Sequence, residues 1–306
     1  MLKINKKATM MIALGLSPGL LISAVFHDHD YLIASFYSVC SIMPFGEAHT
    51  SKRMTYLFAM IIMLYSLVIY TFINQWVAVY FLLALPMTVF STYERQDKSL
   101  KIMSNWWLIG VIYGGFKIQH APSMVVLNKY ILIFLLTLLG AFFALHSQKT
   151  TPFKWLKFRV DKAHLRYYIK YPLALLITIS TLALFHPQEG EWLIWSCFSV
   201  LSLDYAKAKG KYQDRLLGVA FGVSVGFLII QIIPYSPFLD YIYITCILLS
   251  LRLFEVYLYS FAIRCLFVVL YAGSNYQQVG YVRLTDIVLG GAIGIALSYA
   301  LKNSEK

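Results

Sequence analysis

Apolar residues fall in long runs separated by short polar breaks, at 8–26, 31–46, 54–73, 77–92, 102–118, 129–146, 169–186, 192–206, 216–234, 237–252, 254–272 and 283–301. Each run is long enough to cross ~30 Å of hydrocarbon as a helix, tilted or shortened as needed. The pattern therefore predicts an all-α, polytopic integral membrane protein of about 12 transmembrane helices. Composition agrees, since 59% of the residues are apolar, only 13% are charged, and mean hydropathy is +0.68.

Charge placement tests the span count, because a missed or invented helix would put every later loop on the wrong side. With both termini cytoplasmic, most of the 26 basic residues collect on one side: Lys3, Lys6 and Lys7, then Lys52 and Arg53, then the breaks near residues 95–101, 147–170 and 207–215. Lys117, Lys129 and Arg283 fall on the outer side, and Arg264 lies inside a run. The net charge of +12 thus describes a cytoplasmic face suited to anionic headgroups, and a nucleic-acid partner is excluded for want of a folded basic domain. The basic start followed by an apolar run has the outline of a signal peptide, but it lacks a small-residue cleavage site and has a repeat partner at 169–186. Cys40, Cys197, Cys246 and Cys265 sit inside spans without metal or redox spacing, so they read as core residues.

The chain repeats itself. Residues 31–42, YLIASFYSVCSI, match residues 192–203, WLIWSCFSVLSL, at an offset of about 161 positions. Tyr31 faces Trp192, Ser35 faces Ser196, and downstream Lys52-Arg53 faces Asp214-Arg215. The last spans align as well, with Lys129 and Gly140 opposite Arg283 and Gly294. The expected organisation is a first six-helix repeat at 1–146, a basic cytoplasmic linker at 147–168 and a second six-helix repeat at 169–306. Six spans per copy make the repeat parallel, related by an axis along the membrane normal.

Chemistry concentrates in the second copy. Arg264 falls near the middle of its run, where an ion is expensive unless it is paired or faces water. It is either an anion contact or the partner of Asp286. Arg283 and Asp286 share a face of the last helix, where the carboxyl can carry a proton or lock helices together. Asp204 is placed at a cytoplasmic helix end, and Arg215 opens the next helix. Gly218, Gly222 and Gly226 form one stripe, and Gly290, Gly291 and Gly294 mark the last helix; small residues of this kind admit a neighbouring backbone. The turn His27-Asp28-His29-Asp30 reads as a polar headgroup turn or as a cation site, and the former needs no further assumption. The chain has no ATP-binding loop and no clustered catalytic groups, so neither an enzyme nor a cofactor is expected, and no metal site.

The Trp-led span, the Arg-x-x-Gly-x-x-x-Gly helix and the closing Arg-x-x-Asp helix resemble the fusaric acid resistance and aromatic acid exporter family of bacterial inner-membrane proteins. The residues that carry the resemblance are Trp192, Arg215, Gly218, Gly222, Arg283, Asp286 and Gly290. It implies a multi-pass protein of the bacterial inner membrane that exports aromatic or other organic acids; with no ATP-binding loop in the chain, a proton gradient is the driving force we expect. It also implies a periplasmic adaptor and an outer-membrane channel as partners, besides the lipid bilayer and the anion itself; glycine stripes equally suit a homo-oligomer. Family members commonly carry a large cytoplasmic domain that is represented here only by the short linker. A non-transporting scaffold and an anion channel are the competing expectations.

Overall fold

The computed structural model describes residues 4–45, 51–94, 100–119, 123–146, 148, 165–185, 190–233 and 236–302. Among them are twelve α-helices, one for each apolar run: α1 (Lys6–Phe26), α2 (Leu32–Ile42), α3 (Lys52–Phe72), α4 (Trp76–Glu94), α5 (Leu100–Gln119), α6 (Ser123–Leu145), α7 (Leu165–Phe185), α8 (Glu191–Val200), α9 (Tyr205–Ile230), α10 (Pro237–Leu249), α11 (Tyr257–Tyr271) and α12 (Tyr276–Ala300). Six of them, α1, α3, α4, α7, α9 and α12, are long and apolar enough to cross a membrane. Large apolar side chains such as Leu21, Leu57, Leu64, Leu135, Leu217, Phe221 and Leu228 are exposed, as expected for a protein whose solvent is lipid. This is a membrane protein. Most of the 147–168 linker and the 186–189 turn lie outside the described residues.

Length divides the helices into two kinds. At 1.5 Å per residue, α2 and α8 span only about 15 to 17 Å, roughly half the hydrocarbon thickness. Their apolar runs continue past the helix end, so hydropathy overstated both. Neither is bathed in lipid: every α2 residue except Ile33 is buried, as are Leu193, Ile194, Ser196, Cys197, Phe198 and Val200 of α8. A helix that stops at depth leaves carbonyls and amides that only protein can satisfy. Ser298 of α12 does this for the stretch after α8, accepting from the Ser202 amide at 2.9 Å.

The contacts define two units, Met10–Leu176 and Met1–Thr9 with Ile177–Lys306. In the first, which we call the N-terminal unit, α2 packs on α6 and α3 on α5. Contacts climb together along each pair, from Lys129 with Asp30 through Thr137 with Ala34 to Gly140 beside Ser38, so α2 and α6 run parallel. Gly110 meets Ile62 and Gly115 meets Ile69, giving α3 and α5 the same sense. The centre holds neutral hydroxyls: Tyr37 and Tyr130 lie 3.3 Å apart, and the Tyr130 hydroxyl donates to the Met63 carbonyl at 2.7 Å. Towards the end of α4, Glu94 accepts from Lys170 Nζ and from the Tyr171 hydroxyl, both at 2.7 Å. Lys170, expected among the basic residues flanking the linker, is thus buried early in α7.

In the other, C-terminal unit, α8 packs on α12 and α9 on α11. Trp192 meets Arg283, and Cys197 meets Gly294, so α8 and α12 are parallel. Gly218 contacts Phe261 and the Ala262 amide, Gly222 the Ala262 carbonyl and Cys265, and Gly226 Val269, so α9 and α11 are parallel too. Leu217, Phe221 and Leu228 cover the opposite, exposed face of α9. The bare face of this helix therefore points to protein and its bulky face outward.

Candidate anion site

The site is built on α9. Arg215 does not open this helix as the sequence suggested; α9 begins ten residues earlier at Tyr205, because Asp204 caps it, its Oδ1 accepting from the Lys207 amide at 3.2 Å. The residues expected as a cytoplasmic loop, AKAKGKYQD, are largely good helix formers and make the first turns. Asp204 itself is exposed and 3.3 Å from Lys207 Nζ. The backbone hydrogen bond from Lys207 holds its carboxyl below the usual value, so Asp204 stays ionised near neutral pH and serves as a cap. Its side chain is engaged with the amide and ammonium of Lys207.

Three turns into α9, Arg215 is only 4% exposed. Its Nη1 donates to the Tyr257 hydroxyl at 3.0 Å and its Nη2 to Ser196 Oγ at 2.9 Å, while Nε makes no hydrogen bond. The guanidinium also lies 4.4 Å from the centre of the Phe261 ring. Tyr257 and Phe261 are one turn apart on α11 and stack at 5.8 Å. Arg264 sits 5.8 Å from the same ring.

Arg264 is 8% exposed and is held by the end of α10. Its Nε donates to Ser250 Oγ and its Nη2 to the Ser250 carbonyl, both at 3.3 Å. Ser250 is the C-cap of α10, so the cation meets the negative end of a helix dipole. The pairing of Arg264 with Asp286 that the sequence left open is therefore not the arrangement found. Arg283, 7% exposed, lies over the Trp192 ring at 3.3 Å, and Trp192 stacks on Trp195 at 4.8 Å. Asp286 is buried one turn further along α12. Arg215 and Arg283 are both close enough to Arg264 to act on it electrostatically.

The glycines set these distances. A Cβ at Gly290 would strike the Leu193 carbonyl, one at Gly291 the Tyr212 ring, and one at Gly294 would come within 2.6 Å of the Cys197 carbonyl. With Gly218, Gly222 and Gly226, they bring α8, α9, α11 and α12 close around the arginines. Sequence reasoning selected Arg215, Arg264, Arg283 and Asp286 but missed Tyr257, Phe261 and Ser250. Nothing in the sequence separates that tyrosine and phenylalanine from the many other aromatics in the chain. Ser196 was visible only as a matched position of the repeat.

A family model matches most of this unit. Residues 174–297 match the family model described as fusaric acid resistance protein-like. The match encloses the whole arginine site and bears out the resemblance read from Trp192, Arg215 and Arg283. No curated protein matches the chain. No solved structure matches it either.

The outer turn of the N-terminal unit is a different matter. Lys129 Nζ lies 2.6 Å from Asp28 and 2.7 Å from Asp30, so the carboxylates that suggested a cation site hold a lysine. Among the described residues no group of histidines, cysteines and carboxylates could hold a metal ion.

Proposed function

We propose that this protein carries small organic anions across a membrane and that Arg215 and Arg264 form the anion site, with Arg283 beside them. One observation carries the reading. Arg215 and Arg264 are buried among apolar helices, yet they bond hydroxyls and a carbonyl and pack on a ring, with no carboxylate. Uncompensated guanidinium is costly in such a place, and an anion arriving from water offsets that cost. The fusaric acid resistance protein-like match favours transport, and export of aromatic or other organic acids is the direction we assign. Asp286, buried on α12, is the group we assign to proton coupling.

A two-copy organisation, which we propose on the sequence repeat, fits the same reading. The pairs α2–α6 and α8–α12 are parallel, as are α3–α5 and α9–α11, the sense expected where successive helices alternate in direction. The aligned cations behave alike, since Lys129 lies 6.0 Å from the Tyr31 ring as Arg283 lies over Trp192. In a bacterial inner membrane the basic ends face the cytoplasm, and a periplasmic adaptor with an outer-membrane channel would take the exported acid onward. A second reading, a scaffold without transport, draws on the N-terminal unit, where Arg53 is exposed and the core holds tyrosines in place of arginines.

The test is uptake of labelled benzoate into inverted membrane vesicles, with and without a proton gradient, by wild type, Arg215→Ala and Arg264→Ala. Gradient-dependent uptake that disappears in both variants is expected. A folded wild type that takes up neither benzoate nor other labelled carboxylates leaves the scaffold.

A further inference from the structure

We infer that the hydroxyls of Ser196 and Tyr257 bind the anion directly and, with Arg215 Nε–H, select an anion that accepts hydrogen bonds well, such as a carboxylate. The inference rests on reading Arg215 as an anion site and names the groups that recognise the ligand there. Each hydroxyl accepts from the guanidinium, Tyr257 from Nη1 at 3.0 Å and Ser196 from Nη2 at 2.9 Å. A hydroxyl oxygen that accepts from a cation turns its own proton elsewhere, and among the described residues neither proton meets an acceptor. Arg215 Nε–H is likewise buried without a hydrogen bond. Donors from α8, α9 and α11 thus meet at one cation.

Two other buried groups show the closed arrangement that this site lacks. Arg264 bonds the Ser250 carbonyl, an acceptor with no proton to pass on. Ser35, which the repeat matches to Ser196, donates to the Leu16 carbonyl at 2.8 Å. At Arg215, hydroxyls stand where carbonyls or carboxylates would complete the set. A hydroxyl satisfies a guanidinium and still donates, and accepting from a cation polarises its O–H into a stronger donor.

Bare backbone places both hydroxyls. A Cβ at Gly290 of α12 would come within 2.7 Å of Ser196 Cβ, and one at Gly218 of α9 within 2.7 Å of Phe261 Cδ1, one turn along α11 from Tyr257. Charge alone draws any anion to Arg215. The hydroxyls add affinity only for an anion whose oxygens accept strongly, so they govern which anion is held rather than whether one is.

The experiment measures equilibrium binding of labelled benzoate to the purified full chain in detergent, displaced by unlabelled benzoate or by perchlorate, which spreads its charge thinly and accepts hydrogen bonds weakly. Ser196→Ala and Tyr257→Phe are each expected to weaken benzoate about tenfold, the worth of one hydrogen bond to a charged group, and to change displacement by perchlorate less than about twofold. Ser196→Thr is expected to restore benzoate binding, and Tyr257→Phe, which keeps the ring, carries the test if Ser196→Ala does not fold. Wild-type benzoate affinity in the folded variants, with binding lost in Arg215→Gln, overturns the inference and leaves the arginine site standing. Equal weakening of both anions also overturns it, since the hydroxyls then only position Arg215. Wild-type binding by Arg215→Gln, or no benzoate binding by folded wild type, overturns both readings.

Discussion

Two buried arginines, similar in sequence terms, have different work to do. Arg264 spends its hydrogen bonds on the end of α10, whereas Arg215 bonds only two hydroxyls and keeps Nε uncommitted. Arg215→Lys keeps the charge but loses the fork that reaches Tyr257 and Ser196 together. It is expected to cut benzoate transport about tenfold, the worth of one charged hydrogen bond, without lowering thermal stability. Arg264→Lys is expected to lower both, and melting of the purified variants in detergent separates the two cases. Asp28 gives a pH prediction. Burial raises its carboxyl pKa, but hydrogen bonds from Lys129 and the Asp30 amide outweigh burial and leave it below the ordinary 3.8. A depressed carboxyl contributes stability above its unfolded pKa and loses it as pH falls through the folded value. Wild type should therefore lose melting temperature between about pH 5 and pH 3 more steeply than Asp28→Asn.

Among the elements, close packing depends on what the glycines omit. A side chain at Gly222 would run into the Ala262 carbonyl, a backbone atom that cannot swing aside. Gly222→Val is expected to cost about 1 to 3 kcal/mol by overpacking, read as a lower melting temperature. Gly210, with open space around it, is the control, expected to tolerate alanine. The Glu94–Lys170 pair joins α4 to α7, with side chains 10% and 3% exposed. Lys170→Met leaves a buried carboxylate without its counter-ion, held only by the Tyr171 hydroxyl, and is expected to cost about 3 to 5 kcal/mol, with much of the loss recovered in Glu94→Gln/Lys170→Met. Sequence reasoning could not see this pair, because Glu94 and Lys170 are far apart in the chain and each sits where a polar residue normally marks a membrane boundary. Helix ends were hidden for a related reason. Hydropathy reports the medium around a segment, so the runs at 31–46 and 192–206 read as full spans although α2 and α8 stop halfway inside protein. The start of α9 was missed because charge was taken to mean loop, when Asp204 and a row of helix formers extend the helix past the apolar run.

At the scale of the whole molecule, the hydropathy pattern alone located the twelve α-helices of the described residues, because a chain in lipid must bury its backbone polar groups within each segment. It also singled out the charged residues of the site, since ions at membrane depth are rare enough to stand out. It did not reveal their neutral partners, which are aromatic and hydroxyl residues of kinds found throughout the chain. The central claim is that an anion reaches Arg215 from water. Ser196 touches that guanidinium at 2.9 Å, so its position samples the site directly. Ser196→Cys, with the four native cysteines replaced, would be treated in intact and inverted vesicles with an anionic and a cationic thiol reagent. The account predicts faster reaction with the anionic reagent, from the face bearing Lys207 and Lys211, and protection by benzoate. Equal inertness to both reagents from both faces, in a folded protein, would contradict it and leave Arg215 a structural residue.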